Sequence, residues 1–461
     1  MNIEAVSRLV KQHSIVTVKI GGADLDGVYR GKRVSAEHFL DAAAEGFPQC
    51  DVLFGWDIQD TVIGSLPFSN WETGFSDIIM KPDLATFAVV PWEEGCASVV
   101  CDFYTEHGDP LPIAPRFVLQ RVLQQAQAAS AAGGSAAGGG PRPLMAAELE
   151  VRFFREDLES LRAKNFSDLR PLSPGLNCYS IHHASIDEPV IGRLRQMLNA
   201  YGIPVEAYNR EHGAGMYEIN LRYTDALRAA DQTMLYKSAT KEIVAQTGAV
   251  ATFMAKYADN VDGCGGHIHQ SLWSPDGAHS LFWDDQAPHH ISDTLRHYIG
   301  GVLTTLPELM LMYAPNVNSY KRYLAGTWAP TNLTWGLDNR TCALRVIASS
   351  PRAIRIENRV PGADLNPYLA FAASLAGGLH GIEQKLEPPP VAKGNAYQLA
   401  DAPPLPRSLP EALALFRSSE LARRLFGDQF VDQYVAFRQW EVERHQRAVT
   451  DWERRRYFEM V

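Results

Sequence analysis

Four short segments between residues 147 and 360 place polar side chains in regular alternation with apolar ones, and this pattern limits the possible folds more than any other feature. In a β-strand, residues two positions apart point to the same face of the sheet. The polar residues concerned are Glu148 and Glu150 in AELEVRFF, Glu218 in GMYEINL, His267, His269 and Ser271 in GHIHQSL, and Arg355, Glu357 and Arg359 in IRIENRV. The pattern predicts four strands, each with carboxylate, imidazole or guanidinium groups on one side.

These side chains are unusual for the solvent face of a sheet. A half-exposed sheet accounts for polar alternation in any one strand. Across the four segments, however, Ser, Thr, Lys and Gln are scarce, and most polar groups are ligands for metals or anions. An oxygen-rich ligand set with one imidazole favours Mg²⁺ or Mn²⁺ over zinc. The combination indicates a site for divalent cations and phosphates.

Five arginines lie within forty residues of one another, and two of them belong to the last of these segments. A guanidinium group binds carboxylate or phosphate through two parallel hydrogen bonds and stays charged at any working pH. Taken singly, each arginine is typical of a surface salt bridge; beside a metal-binding carboxylate set, together they indicate phosphoryl transfer. No Walker P-loop or kinase glycine-rich motif is present. The five are Arg322, Arg340, Arg345, Arg355 and Arg359.

Charge and composition narrow the functional classes. The 461 residues include 43 Lys and Arg against 53 Asp and Glu, a formal net charge of −10, so a basic footprint for nucleic acid is missing. No apolar run reaches the ~20 residues that a membrane span requires, and the N-terminal residues mix charged and apolar side chains too evenly for a signal peptide. The six cysteines form no CxxC pair, which is typical of reduced thiols. We expect a cytoplasmic protein without nucleic-acid or membrane partners.

Local patterns predict two domains, 1–111 and 112–461, divided near a cluster of prolines. The first domain is predicted to consist mostly of strands, with a turn at Gly21-Gly22. The second domain is predicted to begin with a helix after Pro115. The Gly/Ala-rich stretch 126–143 is typical of a flexible surface loop. The predicted strands are 15–20, 28–34, 51–54, 86–92, 97–104, 144–154, 205–208 and 216–221, and the later helices are 187–201, 224–247, 289–311, 366–386 and one within 428–457 that we expect to be solvated.

The ordered motifs resemble the glutamine synthetase family over nearly the whole chain. Beside AELEVRFF, the segments that carry the resemblance are EHGAGMYEINL at 211–221, GCGGHIHQSL at 263–272, NSYKRYLAG at 318–326, DNRTCALRV at 338–346 and IRIENRVPGADLNPYLAFAA at 354–373. The resemblance implies an α+β fold, with a β-grasp domain at 1–111 and a catalytic domain whose curved antiparallel sheet is flanked by helices. It also implies a homo-oligomer, usually a dodecamer of two hexameric rings, with active sites between subunits.

The family's residue roles carry over by motif position. One metal would be held by Glu150, Glu211 and Glu218, and the second by Glu148, His267 and Glu357. Glutamate and the transferred phosphate would be bound by Gly263, Arg322, Arg340 and Arg359, with Arg322 and Arg340 also catalytic. The ATP phosphates would lie near His269, Ser271, Arg345 and Arg355. The implied cofactors are ATP and two Mg²⁺ or Mn²⁺ ions, and the implied reaction is phosphorylation of the glutamate γ-carboxylate followed by displacement of phosphate by an amine.

The chain departs from the ammonia-using members where ammonium binds. Trp328 stands where those members have an acidic residue, so a small-cation site is weakened and an apolar, cation–π-capable face replaces it. The Asp-Gly-Ser-Ser signature is absent, and Asp57, or alternatively Asp60, matches its aspartate. Asp262 replaces the usual Asn, and Tyr179 lies near the aromatic position of the amine site. These changes, with TWGLDNRT at 334–341, are similar to the γ-glutamylamide ligase branch, in which an alkylamine, ethanolamine or polyamine replaces ammonia.

Three alternatives stay open at this point. The first is an atypical glutamine synthetase, in which Trp328 only packs and another acid serves ammonia. The second is a non-catalytic structural or regulatory ring, which has no need of six metal-ligand positions. The third is a guanidino-type phosphotransferase, which the ordered motifs do not support. Tyr397 lies near a nucleotidylated tyrosine of some bacterial relatives, but its flanking residues match poorly and predict an exposed loop residue.

Overall fold

The computed structural model describes residues 1–132 and 139–461, and builds them around two sheets. The first sheet has the strand order β2-β1-β6-β4-β3, with β5 paired to β6 and with β1 and β6 parallel. Its elements, with the helices between them, are α1 (Ile3–Gln12), β1 (Thr17–Ala23), β2 (Tyr29–Ser35), α2 (Ala36–Ala42), β3 (Phe47–Cys50), β4 (Asp77–Pro82), β5 (Ala88–Val89) and β6 (Cys96–Tyr104).

The second sheet has the order β13-β14-β15-β12-β7-β9-β8, with β10 and β11 also paired to β7. Its strands are β7 (Arg142–Phe154), β8 (Val205–Arg210), β9 (Met216–Leu221), β10 (Thr224–Asp225), β11 (Val250–Thr252), β12 (Gly266–Trp273), β13 (Trp335–Leu337), β14 (Leu344–Ile347) and β15 (Arg355–Asn358). The helices around it are α3 (Pro115–Ala132), α4 (Leu158–Ala163), α5 (Ile181–Ala200), α6 (Ala226–Ala245), α7 (Asp293–Tyr313), α8 (Pro367–Gln384), α9 (Leu409–Ser418), α10 (Glu420–Phe426), α11 (Asp428–Arg447) and α12 (Asp451–Tyr457). The prediction of an α+β fold is confirmed.

The four strands with alternating polar residues are consecutive neighbours in this sheet, in the order β15-β12-β7-β9. Their register places His267 opposite Glu148 and His269 opposite Glu357. On the other side of β7, Glu218 lies opposite Glu150. Directly opposed residues have close side chains, so antiparallel pairing gathers the polar groups that the sequence separates by more than two hundred residues.

Helices α7 and α8 support the other face of these strands. They approach closely because Gly301 faces Gly377, where an added Cβ would lie 2.3 Å from the Gly377 carbonyl oxygen. The hydroxyl of Ser374 on α8 accepts hydrogen bonds from Gln270 (2.9 Å) and Asn358 (3.2 Å), each next to a predicted site residue. Buried polar groups paired in this way fix the strand register.

Buried ion pairs join the first sheet to the helices of the second. Arg116, at the start of α3, donates to Asp83 (2.7 Å), Asp102 (2.8 Å) and Asp231 (2.9 Å). Arg438 on α11 is 1% exposed and pairs with Asp26 at 2.7 Å. This helix therefore buries one side, and the prediction of a solvated C-terminal helix is wrong for α11, although α12 has no buried residue.

Glycines and a proline mislead the sequence prediction in the first sheet. Gly21 and Gly22 lie inside β1 rather than in a turn, because Gly21 is paired with Gly31, where any Cβ would collide with the Ile20 carbonyl. Residues 51–54 form a 3₁₀ helix after the strand β3. The strand predicted over 86–92 shrinks to β5, since Thr86 belongs to a 3₁₀ turn capped by Asp83 and a proline at 91 cannot donate to a ladder.

Two further boundaries differ from the prediction. Of the expected loop 126–143, residues 126–132 continue α3, residues 142–143 begin β7, and residues 133–138 lie outside the described part of the chain. Helix α5 begins at Ile181 rather than 187, because the Ser180 hydroxyl caps it by accepting from the His183 amide. Within the described ranges, none of the helices combines the length and apolarity that crossing a membrane requires.

Candidate active site

Glu148, His267 and Glu357 come together from three neighbouring strands. Each offers a ligand atom, and these atoms lie within 4.8 Å of one another. The His267 Nδ1 atom lies 3.0 Å from Glu148 and 3.2 Å from Glu357. Burial alone would raise the pKa of Glu357, but Arg359 and His267 outweigh it and lower that pKa to about 2. Burial also lowers the pKa of His267 to about 4, which keeps the imidazole neutral and able to bind a metal.

Glu150, Glu211 and Glu218 form a second group, with ligand atoms again within 4.8 Å of one another. Glu150 and Glu218 are cross-strand partners, and Glu211 follows the end of β8. Burial and the neighbouring carboxylates raise the pKa of Glu218 to about 10, and burial followed by Glu211 raises that of Glu150 to about 7. Three carboxylates crowded in this way suit a divalent ion, which would favour their ionised forms. The six predicted metal ligands thus form the two predicted groups.

Five of these six residues, all but the fully buried Glu357, line one cavity of about 650 Å³. The residues predicted to bind glutamate, Gly263, Arg322, Arg340 and Arg359, also line it, as do the two aromatic residues predicted at the amine site, Trp328 and Tyr179. Arg345 lines this cavity too, where it donates to Glu357 at 2.9 Å and to Asp338 at 2.6 Å. Arg359 also donates to Glu357. The buried carboxylate of Glu357 therefore joins the metal-ligand group to the arginines.

A second cavity of about 440 Å³ lies across β7 and shares Glu148 with the first. It contains three of the four residues predicted near the ATP phosphates, His269, Ser271 and Arg355; the fourth, Arg345, lines the first cavity. Arg355 donates to the Nδ1 atom of His269 at 3.2 Å, and the Nε2 atom of His269 lies 3.3 Å from Glu148. A ligand in this cavity can therefore reach the first metal-ligand group through Glu148.

Asp57 does not line either cavity. Its carboxylate accepts from the backbone amides of Gln59 and Thr61 at 2.9 Å each and from the Trp440 indole at 3.1 Å. These donors outweigh burial and lower the pKa of Asp57, so the carboxylate is ionised. Asp60, the alternative match, is paired with Arg30. Within one chain, neither aspartate reaches the cavity where the amine was predicted to bind.

Residues 326–330 are here called the Trp328 wall, and two of them, Thr327 and Trp328, line one side of the first cavity. Trp328 is 56% exposed and has a φ of 62°, a left-handed backbone conformation that bulky residues rarely adopt. Tyr179, on the same cavity, is 68% exposed and has a φ of 57°. Strained backbone of this kind is concentrated at functional sites. The cavity thus presents two exposed aromatic rings, and the wall itself carries no carboxylate.

Sequence reasoning missed several residues of this site. Asn220 donates to Glu148 (2.7 Å) and Glu218 (3.3 Å), and its position two residues after Glu218 on one strand could have indicated it. His212 lies 2.5 Å from Asp262, and no sequence signal links them. Tyr397 is not the exposed loop residue that was predicted: it is half-buried and its hydroxyl is fully buried.

Two groups of potential metal ligands beside an arginine-lined cavity, joined through Glu148 to a second cavity, are the arrangement expected of an enzyme that handles phosphates with divalent cations. The family model described as "Glutamine synthetase, catalytic domain" matches residues 112–457. The chain belongs to the glutamine synthetase family. The resemblance read from the motifs is therefore confirmed, and so is the prediction of a ligase.

The relatives include proteins named as glutamate–amine ligases and proteins named as glutamine synthetases, among them type-1 glutamine synthetase 2 of Dictyostelium discoideum, 39% identical over 449 residues, covering 96% of this chain and 84% of the relative. The chain is 40% identical over 459 residues to glutamate–isopropylamine ligase of a Pseudomonas species, covering 99% of this chain and 98% of the relative. It is 40% identical over 462 residues to gamma-glutamylethanolamide synthetase of Streptomyces coelicolor, covering 100% and 96%. A solved structure described as a GmaS/ADP complex has a TM-score of 0.83 and 28% identity, covering 98% of this chain and 99% of that one.

Proposed function

We propose that the protein is an ATP-dependent ligase that joins the γ-carboxylate of glutamate to a small organic amine. The observation that carries this proposal is the Trp328 wall, which presents an indole where ammonia-using members have an acidic residue, beside a complete set of metal-ligand groups. The names of two of the relatives, which specify isopropylamine and ethanolamide, support the same substrate class.

The first step is transfer of the ATP γ-phosphoryl group to glutamate. Two Mg²⁺ or Mn²⁺ ions, one held by each group of three metal ligands, would neutralise charge on the phosphates. The chain's own contribution is positioning: Arg322 is fixed in place by donating to the backbone carbonyls of Val360 (2.9 Å) and Arg359 (3.0 Å). Arg340 is exposed and lines the cavity, where its guanidinium group can bind a carboxylate. The product is γ-glutamyl phosphate. Its carbonyl carbon is open to attack by an amine, whereas that of a carboxylate is a poor electrophile.

In the second step the amine attacks this acyl phosphate. The rings of Trp328 and Tyr179 supply an apolar surface and a cation–π face for an alkylammonium as it enters. The attacking nitrogen must first lose a proton, and phosphate leaves as the amide forms. We assign the proton acceptor to Asp57 of a neighbouring subunit, because this carboxylate is ionised and lies outside the cavity of its own chain.

This assignment requires an oligomer. We propose a dodecamer of two hexameric rings, in which the domain at residues 1–111 covers the active site of the adjacent catalytic domain at 112–461. The position of Asp57 outside the cavity of its own chain supports a shared site, and the start of the family model at residue 112 supports the division into two domains. The ring size is what membership of the family implies.

The test is phosphate release from ATP with Mg²⁺ and glutamate, measured across ammonia, methylamine, isopropylamine, ethanolamine, putrescine, spermidine and aniline, with product masses read in parallel. We expect release with an organic amine and a matching γ-glutamylamide. The Glu218→Gln variant supplies the background, because it lacks a predicted metal ligand. Release with ammonia alone would identify an atypical glutamine synthetase and reduce Trp328 to packing.

A further inference from the structure

Asp187, on α5, receives three buried hydrogen bonds. Its Oδ2 atom accepts from the Ser173 hydroxyl at 2.6 Å, from the Tyr217 hydroxyl at 2.7 Å and from Nη1 of Arg210 at 2.8 Å. None of these four residues is more than 6% exposed, and none lines either cavity of the site. They are here called the Asp187 cluster, and no step of the proposed reaction has used them.

Two members of the Asp187 cluster are next in sequence to predicted metal ligands. Arg210 ends β8 and precedes Glu211, and Tyr217 on β9 precedes Glu218. Arg210 and Tyr217 are also direct cross-strand partners, so their side chains lie side by side. Because successive side chains of a strand point to opposite faces, Glu218 faces the cavity while Tyr217 faces Asp187. Asp187 therefore holds the last strand pair before the turn that begins with Glu211.

The turn between β8 and β9 is fastened to the same cluster. The Gly215 amide donates to the Ser173 carbonyl oxygen at 3.0 Å, and the Glu211 amide donates to the Met216 carbonyl oxygen at 3.0 Å. The side chain of Ser173 bonds Asp187, so this residue contacts the turn and the cluster at once. The backbone at both Glu211 and Glu218 is thus tied to α5.

The Asp187 cluster is poorly suited to stabilising the fold alone. Oδ1 of Asp187 and both Nε and Nη2 of Arg210 are buried, and none of them has a hydrogen-bond partner among the described residues. Each unpaired buried polar atom lowers stability, and apolar residues often stabilise a fold as well as a buried ion pair does. The metal-ligand group that includes Glu211 and Glu218, in contrast, brings mutually repelling carboxylates within 4.8 Å and needs a rigid support.

We propose that Asp187 is a positioning residue for metal binding: through Arg210 and Tyr217 it holds the backbone at Glu211 and Glu218, so that their carboxylates converge with Glu150 on one divalent cation. The inference rests on the proposed function, because it takes these three glutamates as a metal site. Asp187 itself touches neither metal nor substrate. Its loss should weaken one of the two metal sites and leave the site at Glu148, His267 and Glu357 unchanged.

The experiment measures Mn²⁺ binding by the full-length protein, from the EPR signal of free Mn²⁺, without ATP or glutamate. Tyr217→Phe removes one hydrogen bond to Asp187, and Asp187→Asn removes the charge. We expect the dissociation constant of one of two bound Mn²⁺ ions to rise by about tenfold in each variant, as is typical when a residue that orients a metal ligand is lost. In Glu218→Gln, which lacks the same metal site, adding Tyr217→Phe should leave the remaining Mn²⁺ site unchanged.

A second buried cluster of the same composition supplies the control. The Tyr368 hydroxyl donates to Asp231 at 2.8 Å, and Asp231 is paired with Arg116 at 2.9 Å. Tyr368 and Asp231 line neither cavity. Tyr368→Phe should lower the melting temperature in EDTA about as much as Tyr217→Phe does, because each removes one buried hydrogen bond, and it should leave both Mn²⁺ dissociation constants unchanged.

Two results overturn this role for Asp187. One is unchanged Mn²⁺ binding in Tyr217→Phe, which decides the question alone if Asp187→Asn does not fold. The other is an equal weakening of Mn²⁺ binding in Tyr368→Phe, which would reflect a general loss of stability. Failure of the proposed function is visible separately, as Mn²⁺ binding that Glu218→Gln does not reduce; that result removes the metal site and this inference with it.

Discussion

Glu357 and Glu218, one from each metal-ligand group, differ in protonation at neutral pH, although both belong to the same sheet. Glu357 is ionised because Arg359 and His267 lower its pKa to about 2. Glu218 is protonated at neutral pH, since burial and three other glutamates raise its pKa to about 10. Metal binding at Glu218 must displace that proton, so the affinity for Mg²⁺ should rise with pH.

This difference predicts that two similar substitutions have very different effects on stability. Glu218→Gln replaces a neutral group by a neutral one, so the melting temperature of the metal-free protein should stay near that of the wild type. Glu357→Gln leaves Arg345 and Arg359 without their buried partner and should cost about 3–5 kcal/mol. Thermal unfolding with EDTA measures both, and a large loss in Glu218→Gln would contradict the protonated state.

The same variants test metal binding. With Mg²⁺ or Mn²⁺ added, the wild type should gain stability and Glu218→Gln should gain little. Losing a residue that only supports a metal ligand lowers activity by roughly 10–100-fold, so losing a direct ligand should lower the turnover of Glu218→Gln by at least as much. Glu159→Gln, an exposed carboxylate on α4, is the control and should behave like the wild type. Retained metal stabilisation in Glu218→Gln would remove Glu218 from the ligand set.

Trp328→Glu tests the choice of amine. The new carboxylate restores a small-cation site, so the ratio of ammonia use to organic-amine use should rise by about tenfold or more, the lower range for one hydrophobic contact. The control is Trp452→Glu on α12, because Trp452 is 57% exposed and Trp328 is 56% exposed. This variant should leave the ratio unchanged. The ratio of kcat/KM values measures the shift. An unchanged ratio in Trp328→Glu would exclude Trp328 from amine specificity.

The sequence predicted these site residues well where strand alternation applies. Glu148, Glu218 and His267 follow from a period of two, and antiparallel pairing brings them together. The pairing of His212 with Asp262 and the buried hydroxyl of Tyr397 had no such signal, because loops set both. Side chains positioned by loop geometry cannot be read from periodicity.

At the scale of elements, long strands and helices were predicted with nearly correct bounds, whereas short strands whose conformation depends on tertiary contacts were not. The bounds of long elements such as the strand β7 and the helices α6 and α8 lie within two residues of the predicted bounds. In the first sheet, short strands alternate with 3₁₀ turns, and β1 contains the pair of glycines mistaken for a turn. There the close approach of Gly21 and Gly31, a tertiary effect, decides the conformation.

A charge cluster joins β1 to α6 and offers a test at this scale. Lys19 on β1 pairs with Glu93 (2.9 Å) and with Glu242 (2.7 Å) on α6. Arg33 and Lys19 lower the pKa of Glu93 to about 2, Arg33 having the larger effect. Because the folded pKa lies below the ordinary 4.5, the stabilisation is present above pH 4.5 and is lost as pH falls towards 2.

Glu93→Gln should therefore lower the free energy of unfolding by about 1 kcal/mol at pH 7, and the difference from wild type should shrink below pH 4.5. Glu94→Gln, the same change at an exposed neighbour, is the control. Denaturant unfolding at several pH values gives both differences. A gap between Glu93→Gln and wild type that stays constant down to pH 2.5 would contradict the ionised pair.

At the scale of the whole molecule, Asp57 is the one predicted catalytic residue that lies outside both cavities of its own chain, where it accepts hydrogen bonds from Trp440 and from its own loop. Shared sites predict complementation between inactive variants. Asp57→Asn and Glu218→Gln, unfolded and refolded together in equal amounts, should recover about one quarter of wild-type activity if each site combines two subunits at random. Each variant refolded alone is the control, and no recovery on mixing would place Asp57 outside the site.

The most direct measurement follows both steps of the reaction at once. The protein is incubated with ATP, Mg²⁺, glutamate labelled with ¹⁸O in the γ-carboxylate, and equimolar ammonia, isopropylamine and ethanolamine, and all products are analysed by mass spectrometry. The account predicts one ¹⁸O atom in each phosphate released and an organic γ-glutamylamide in excess over glutamine. Unlabelled phosphate would contradict the acyl phosphate, and glutamine as the main product would contradict the organic amine.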